Sequence, residues 1–176
     1  MPKCKQCKDK FEVKYFNQKF CMENDTCIKA FTDTLKNIKA KEWRKQKKVR
    51  RDALKTTQDY IKELQIVFNK YIRLRDKDLN CISCQRNHTG QYHAGHYRSV
   101  GGNPELRFEE LNNNKQCAPC NNHLSGNLIN YRINLIKKIG LKKVEWLEGN
   151  HEPKHYTIEQ LKGLKTLYKL KIKNVE

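Results

Sequence analysis

The sequence lacks long apolar runs, internal repeats and any Gly/Ser/Pro-rich linker, and its hydrophobic content is low. Only 37% of its 176 residues are hydrophobic, against about 45–50% in an average soluble domain, so one large apolar core is not expected. No apolar run approaches the ~18 residues of a membrane span. Residues 1–10 are charged, unlike a signal peptide. These absences disfavour an integral membrane protein and a secreted protein.

Acidic residues are scarce relative to basic ones. Lysine and arginine number 37 and aspartate and glutamate 19, which gives a formal net charge of +18. Such a charge indicates a polyanionic partner, either nucleic acid or an anionic membrane surface. Residues 29–55 carry +8 of this charge and contain neither glycine nor proline. We therefore predict an extended basic helix there.

This helix, which we call the basic arm (residues 29–56), has two interpretations. Its charges are either solvated without a specific partner or, as their density favours, they follow the phosphates of a nucleic acid. On the second interpretation the predicted DNA-binding residues of the arm are Lys41, Arg44, Lys45, Lys47, Lys48, Arg50 and Arg51.

The eight cysteines fall into two groups of four, the first with one C-x2-C pair and the second with two. Two thiolates on one tight turn suit a tetrahedral zinc ion, whereas disulfides need an oxidising compartment for which the sequence has no targeting segment. We predict a structural zinc site at Cys81, Cys84, Cys117 and Cys120. A second zinc site is predicted at Cys4, Cys7, Cys21 and Cys27, although the gap in Cys21-x5-Cys27 is longer than usual.

The remaining pattern is mainly helical. Apolar residues at three- and four-residue spacing predict helices over residues 57–75 and 127–139, and a short helix is predicted over 141–147. Thr157 and Gln160 form the pattern of a capping box, which begins a final basic helix that reaches about Lys173. A short strand is predicted near residues 91–96. The fold class is therefore mainly α, with two small zinc-dependent modules.

The order of residues between and after the later cysteine pairs is recognisable. A C-x2-C pair, His96, Asn112, a second pair and then Asn121 resembles the four-cysteine branch of the HNH (ββα-metal) nucleases. The stretches QYHAGHYRS, LNNNKQCAPCNNHLSGN and VEWLEG are similar to the NinG/Rap family of lambdoid phages. That resemblance implies a metal-dependent, structure-specific DNA endonuclease, which hydrolyses phosphodiesters in branched recombination intermediates such as D-loops and Holliday junctions.

The resemblance also implies an architecture and a location. It places a small zinc-stabilised ββα module, HNH- or treble-clef-like, in a nuclease domain over residues 57–176 with C-terminal helices. An N-terminal zinc-ribbon-like cysteine cluster occupies residues 1–28, ahead of the basic arm. The expected location is the cytoplasm of a bacterial host cell, from a phage or prophage gene. DNA, which is expected to be branched, is the expected partner, and no contact with a membrane is expected. A homodimer, or contact with recombination proteins of the phage or host, is compatible with this assignment.

Site residues carried over from the resemblance have distinct roles. His96 is the expected general base, which takes a proton from water. Asn112 is expected to fix the loop and the orientation of His96. Asn121 supplies a hard oxygen suited to a catalytic Mg²⁺ or Mn²⁺. Arg98 beside the strand either contacts the DNA backbone or packs.

One departure from the resemblance leaves a metal ligand unassigned. Many relatives have an aspartate immediately before the catalytic histidine, and this chain has Gly95. His93 is the first candidate to replace it because residues 93 and 95 share a strand face, and His123 is its competitor. An alternative function also stays open, in which the chain is a non-catalytic zinc module that binds DNA or RNA and His96 is structural.

Overall fold

The computed structural model describes residues 1–176 and divides into two units, Met1–Lys55 and Thr56–Glu176. No helix in either unit combines the length and the apolar character needed to cross a lipid bilayer. The prediction of a mainly helical protein is confirmed. The protein is mainly helical, with one two-stranded sheet and two groups of four cysteines.

The first unit is a small cysteine-lined core followed by one long helix, α1 (Asp25–Ala53). The helix begins where the Asn24 side chain accepts a hydrogen bond from the backbone N–H of Cys27 at 2.9 Å. Such an N-cap satisfies a backbone donor that has no partner inside the helix. Phe20 and Phe31 pack edge to face beside the cysteines, with ring centroids 6.0 Å apart. Residues 32–51 of α1 are all exposed.

The second unit contains four helices around a small sheet. These are α2 (Thr57–Arg75), α3 (Leu128–Ile139), α4 (Leu141–Glu148) and α5 (Ile158–Lys173). Helices α2 and α5 pack through apolar residues that include Phe68 and Tyr168, whose ring centroids lie 4.8 Å apart. A second apolar cluster joins α3 and α4 to the loop after the first strand, through Tyr131, Leu147 and Tyr97.

The sheet pairs β1 (Tyr92–His96) with β2 (Asn113–Cys117) in antiparallel register, so that His96 lies opposite Asn113. The loop between the strands contains a 3₁₀ turn at Pro104–Leu106, and a π-helical turn at Pro119–His123 follows β2. All five residues of β2 are buried although four of them are polar. Hydrogen bonds compensate for this burial, because Asp76 accepts from the Lys115 N–H at 3.1 Å and Asn114 donates to the Tyr131 hydroxyl at 3.1 Å.

Candidate functional site

Both groups of cysteines predicted to bind zinc come together in the structure. Within each group the four Sγ atoms lie within 4.8 Å of one another, and none of the eight cysteines forms a disulfide. The Sγ–Sγ distance is 3.7 Å for Cys4–Cys27 and 3.9 Å for Cys84–Cys117. A tetrahedral ion with Zn–S bonds of about 2.3 Å separates its sulfurs by about 3.8 Å. Each group could therefore hold a zinc ion.

The later cysteine group has two polar neighbours that the sequence did not predict. The Nε2 atom of His88 lies 3.2 Å from the Cys84 Sγ, and Asn127 donates from Nδ2 to the Cys120 Sγ at 3.6 Å. Hydrogen bonds of this kind orient metal-bound thiolates and reduce their charge. His88, which is half-buried, therefore contacts a predicted zinc ligand.

His96 and Asn121 line the same cavity. This open cavity has a volume of about 500 Å³ and also receives Arg98, Asn103 and Ser125. His96 reaches it from the end of β1, and Asn121 reaches it from the π-helical turn that follows β2. No aspartate or glutamate lines the cavity. Two of the residues predicted for catalysis are thus brought together in a site that favours an anion.

The ring of His96 is held in one orientation by the backbone. Its Nε2 atom lies 3.1 Å from the carbonyl oxygen of Arg107. Because a carbonyl only accepts hydrogen bonds, we assign the ring proton to Nε2, which leaves the lone pair of the neutral ring on Nδ1. Burial lowers the pKa of His96 below its ordinary value of 6.5. The imidazole is therefore neutral at pH 7 and able to accept a proton.

Asn112 lies beneath the loop that follows His96 and is fully buried. Its Oδ1 accepts from the Arg98 N–H at 2.7 Å, and its Nδ2 donates to the carbonyl oxygens of Arg98 and Leu106, each at 3.1 Å. Its own carbonyl accepts from the Tyr97 N–H at 2.8 Å. These bonds fix the backbone of the two residues that follow His96.

An ion pair between α3 and α4 supports the same loop. Both carboxylate oxygens of Glu148 accept from Arg132, at 2.7 and 3.0 Å, and the Tyr97 hydroxyl donates to the same carboxylate. The Arg132 hydrogen bond is the main cause that lowers the pKa of Glu148 to about 2. Burial, together with the Glu148 contact, raises the pKa of Tyr97 to about 12. Sequence reasoning missed Glu148, although it lies in the quoted stretch VEWLEG.

The place that a side chain at position 95 would take is filled by Gln116. A Cβ atom on Gly95 would lie 2.1 Å from the Gln116 Oε1. The Gln116 amide is held by donation from Nε2 to the Ser83 Oγ and to the Gly126 carbonyl oxygen, each at 2.6 Å. Its Oε1 is buried and has no hydrogen-bond partner. A side chain at position 95 would therefore displace Gln116, and glycine fits the packing of this chain.

The two histidines considered as further metal ligands do not line the cavity at His96. His93 pairs with Gln116 across the sheet, and its Nε2 is buried without a hydrogen-bond partner. His123 is exposed at the end of the π-helical turn. The structure thus groups Asn121 with His96 and leaves both other candidates outside.

The predicted DNA-binding residues of the basic arm all lie on the exposed part of α1, from Lys41 to Arg51. At 1.5 Å per residue this helix is about 40 Å long. Arg98 belongs to the second unit, where it lines the cavity with His96.

Fold and site together define a small, basic, mainly helical protein with two four-cysteine groups, each able to hold a zinc ion. Comparison with known proteins then gives its family. The model of the bacteriophage lambda NinG protein family matches residues 1–176, and the chain belongs to that family.

Individual relatives agree with this assignment. Protein ninG of Escherichia phage 933W is 40% identical over 186 aligned residues, which cover 98% of this chain and 92% of the relative. Protein ninG of Escherichia phage lambda is 46% identical over 128 residues, which cover 73% of this chain and 63% of the relative. Protein ninG of Salmonella phage P22 is 44% identical over 128 residues, with the same coverage. No solved structure gives a significant match.

Proposed function

We propose that this protein is a metal-dependent, HNH-type endonuclease that cuts branched DNA during phage recombination. The observation that carries the proposal is the cavity shared by His96 and Asn121, which contains a neutral imidazole and no carboxylate. A phosphodiester is an anion whose hydrolysis needs a proton acceptor and stabilisation of charge on its oxygens. Branched DNA is the substrate class implied by the resemblance to the NinG/Rap proteins.

Each residue of the cavity then has a task. The Nδ1 atom of His96 takes a proton from a water molecule as its oxygen attacks phosphorus, and the bond from phosphorus to the 3′ oxygen breaks. The Arg107 carbonyl keeps the ring oriented by accepting from Nε2. Asn112 holds the backbone that follows His96 through its hydrogen bonds to Arg98, so that His96 and Arg98 keep their relative positions. The departing 3′ oxygen takes a proton from solvent water, so that the products are a 5′ phosphate and a 3′ hydroxyl, and His96 later returns its proton to solvent.

Asn121 is the residue on this cavity that fits a divalent cation. Its Nδ2 donates to the Asn122 Oδ1 at 2.7 Å, which leaves its own Oδ1 free to act as a ligand. Mg²⁺ is commonly held by one or two carboxylates together with substrate phosphates and water. No carboxylate lines this cavity, so Asn121 would hold the ion through its amide oxygen, and substrate phosphate and water would supply the other ligands. When bound, Mg²⁺ or Mn²⁺ supplies stabilisation of the phosphate charge and of the departing oxygen.

The basic arm supplies affinity in this proposal. Its net charge of +8 over residues 29–55 and the exposure of residues 32–51 suit contact with the phosphates of a duplex. Such contacts are independent of base sequence and depend strongly on salt. The arm would thus hold DNA whose structure, rather than sequence, selects the cut.

A nicking assay tests the proposal directly. Full-length zinc-loaded protein is incubated with a Holliday junction, a D-loop and a linear duplex, in Mg²⁺ or Mn²⁺. We expect cleavage of the branched substrates, its loss in His96→Ala, and unchanged zinc content and DNA affinity in that variant. His155→Ala is the matched control, because it removes an exposed histidine outside the cavity that has no predicted role.

Two results would contradict it. His96→Ala that cuts at the wild-type rate with its zinc in place would refute the role of His96. A wild-type protein that binds DNA or RNA but cuts no substrate in either metal would leave the non-catalytic zinc module as the function.

A further inference from the structure

The cavity at His96 contains one permanently charged side chain. Arg98 is the only lysine or arginine among its lining residues, and no aspartate or glutamate accompanies it there. The other lining groups that can form hydrogen bonds include Asn103 and Ser125. A cavity lined by one cation, neutral hydrogen-bonding groups and no carboxylate favours an anion such as phosphate.

Both backbone hydrogen-bonding groups of Arg98 are bonded to the same buried side chain. Its N–H donates to the Asn112 Oδ1 and its carbonyl accepts from the Asn112 Nδ2, at 2.7 and 3.1 Å. Asn112 itself is fully buried. A clamp on both the N–H and the carbonyl of one residue fixes where its side chain starts, two residues after His96. Catalytic groups need such pre-organised placement.

The Nε–H donor of that side chain is buried and forms no hydrogen bond, and Arg98 forms no ion pair. Arg75 and Arg132 of the same unit are paired, with Asp76 and Glu148 respectively. The charge of Arg98 acts on the Glu148 carboxylate, but Arg132 donates hydrogen bonds to both oxygens of that carboxylate. An unpaired buried donor of this kind lacks an acceptor that a bound anion would supply.

We propose that Arg98 is a second catalytic residue, whose guanidinium binds the non-bridging oxygens of the scissile phosphate. This inference rests on the proposed nuclease function. Charge accumulates on these oxygens as water attacks, so a fixed guanidinium stabilises the transition state more than the ground state. An arginine that merely contacts the DNA backbone would instead strengthen binding of substrate and transition state equally. The two roles therefore separate kcat from KM.

Cleavage kinetics test the catalytic role. Arg98→Lys keeps the charge but loses the planar pair of donors. We expect kcat on the preferred branched substrate to fall about 10²–10³-fold, as when one pre-organised donor is removed, while KM changes little. Arg86→Lys is the matched control, since Arg86 is an exposed arginine of the same unit outside the cavity. Wild-type kcat in Arg98→Lys, or a change confined to KM, would overturn the proposal and leave the nuclease intact.

A second measurement does not depend on cleavage. Inorganic phosphate is titrated into full-length zinc-loaded protein, and the arginine Nε–H resonances are followed by NMR, with the Arg98 resonance assigned by its absence from Arg98→Lys. We expect a saturable shift of that resonance and no shift for Arg132, whose Nε already donates to Glu148 at 2.7 Å. If the wild type cuts no DNA, the nuclease proposal fails by itself. The titration then decides the anion site alone, and an unshifted Arg98 resonance refutes it.

Discussion

Adding one methyl group at Gly95 should destabilise the second unit through a single neighbour. The new Cβ would lie 2.1 Å from the Gln116 Oε1 and 3.0 Å from the Gln116 Cβ. The glutamine cannot move away freely, because its Nε2 donates to Ser83 and Gly126, each at 2.6 Å. Overpacking of a tight site costs about 1–3 kcal/mol, and each broken hydrogen bond costs about 1 kcal/mol. We therefore expect Gly95→Ala to lower the free energy of unfolding by about 2–3 kcal/mol.

A double-mutant cycle isolates that contact. Urea unfolding is measured at a fixed concentration of free zinc for Gly95→Ala, Gln116→Ala and the double variant, since bound metal changes apparent stability. In the Gln116→Ala background the added methyl group should cost clearly less, because the Oε1 contact at 2.1 Å is gone and only the Cβ contact at 3.0 Å remains. Gly90→Ala is the control, as a Cβ there meets nothing within 4 Å. Wild-type stability in Gly95→Ala, or equal costs in both backgrounds, would refute the reasoning.

Four further outcomes are expected. Metal analysis of purified protein should give two zinc ions per chain, and a value near one would exclude the N-terminal site. Burial holds the pKa of His96 below 6.5, so the cleavage rate should stay level through pH 7. On acidification the rate should fall with a midpoint below pH 6.5, because Nδ1 becomes protonated. A pH–rate profile with a higher midpoint would contradict this. Replacing Lys47, Lys48, Arg50 and Arg51 by glutamine should weaken binding to all DNA sequences alike. The slope of log binding constant against log salt concentration should fall by about 0.9 for each phosphate that the arm no longer neutralises. An unchanged slope would mean that the charges of the arm are solvated and bind no phosphate. Asn112→Ala should lower the free energy of unfolding by about 3 kcal/mol, because three buried backbone groups lose their partner, and chemical denaturation with zinc content held constant measures it.

Helix positions were predictable because local sequence determines them. The predicted bounds of α2, residues 57–75, are those observed, and its buried residues include Leu64, Phe68 and Ile72 at three- and four-residue spacing. The capping box at the start of α5 is also confirmed, since the side chain of Thr157 accepts from the Gln160 N–H and that of Gln160 accepts from the Thr157 N–H. In both cases the signal lies within a few residues of the element it describes.

The second strand could not be predicted in the same way. Its residues Asn113–Gln116 are polar and show no alternation, yet all are buried. Their partners, among them Asp76 and Tyr131, come from other elements of the unit. Gly95 illustrates the same limit, because the absence of aspartate is visible in the sequence but the glutamine that fills its place emerges only from the register of the sheet. Contacts between distant residues, not local preference, decide both features.

Zinc bound by the later cysteines would cross-link the two chain segments that flank the candidate site. A zinc ion held by Cys81 and Cys84 on one side and Cys117 and Cys120 on the other closes a loop of chain that contains His96 and Asn112. Removing the ion releases both ends of that loop together and restores chain entropy to it. Chelation should therefore inhibit the proposed cleavage in two separable ways, by removing the catalytic divalent ion and by removing zinc. Recovery on adding Mg²⁺ alone would report the ion used in hydrolysis, whereas recovery that requires Zn²⁺ first would report reclosure of the loop.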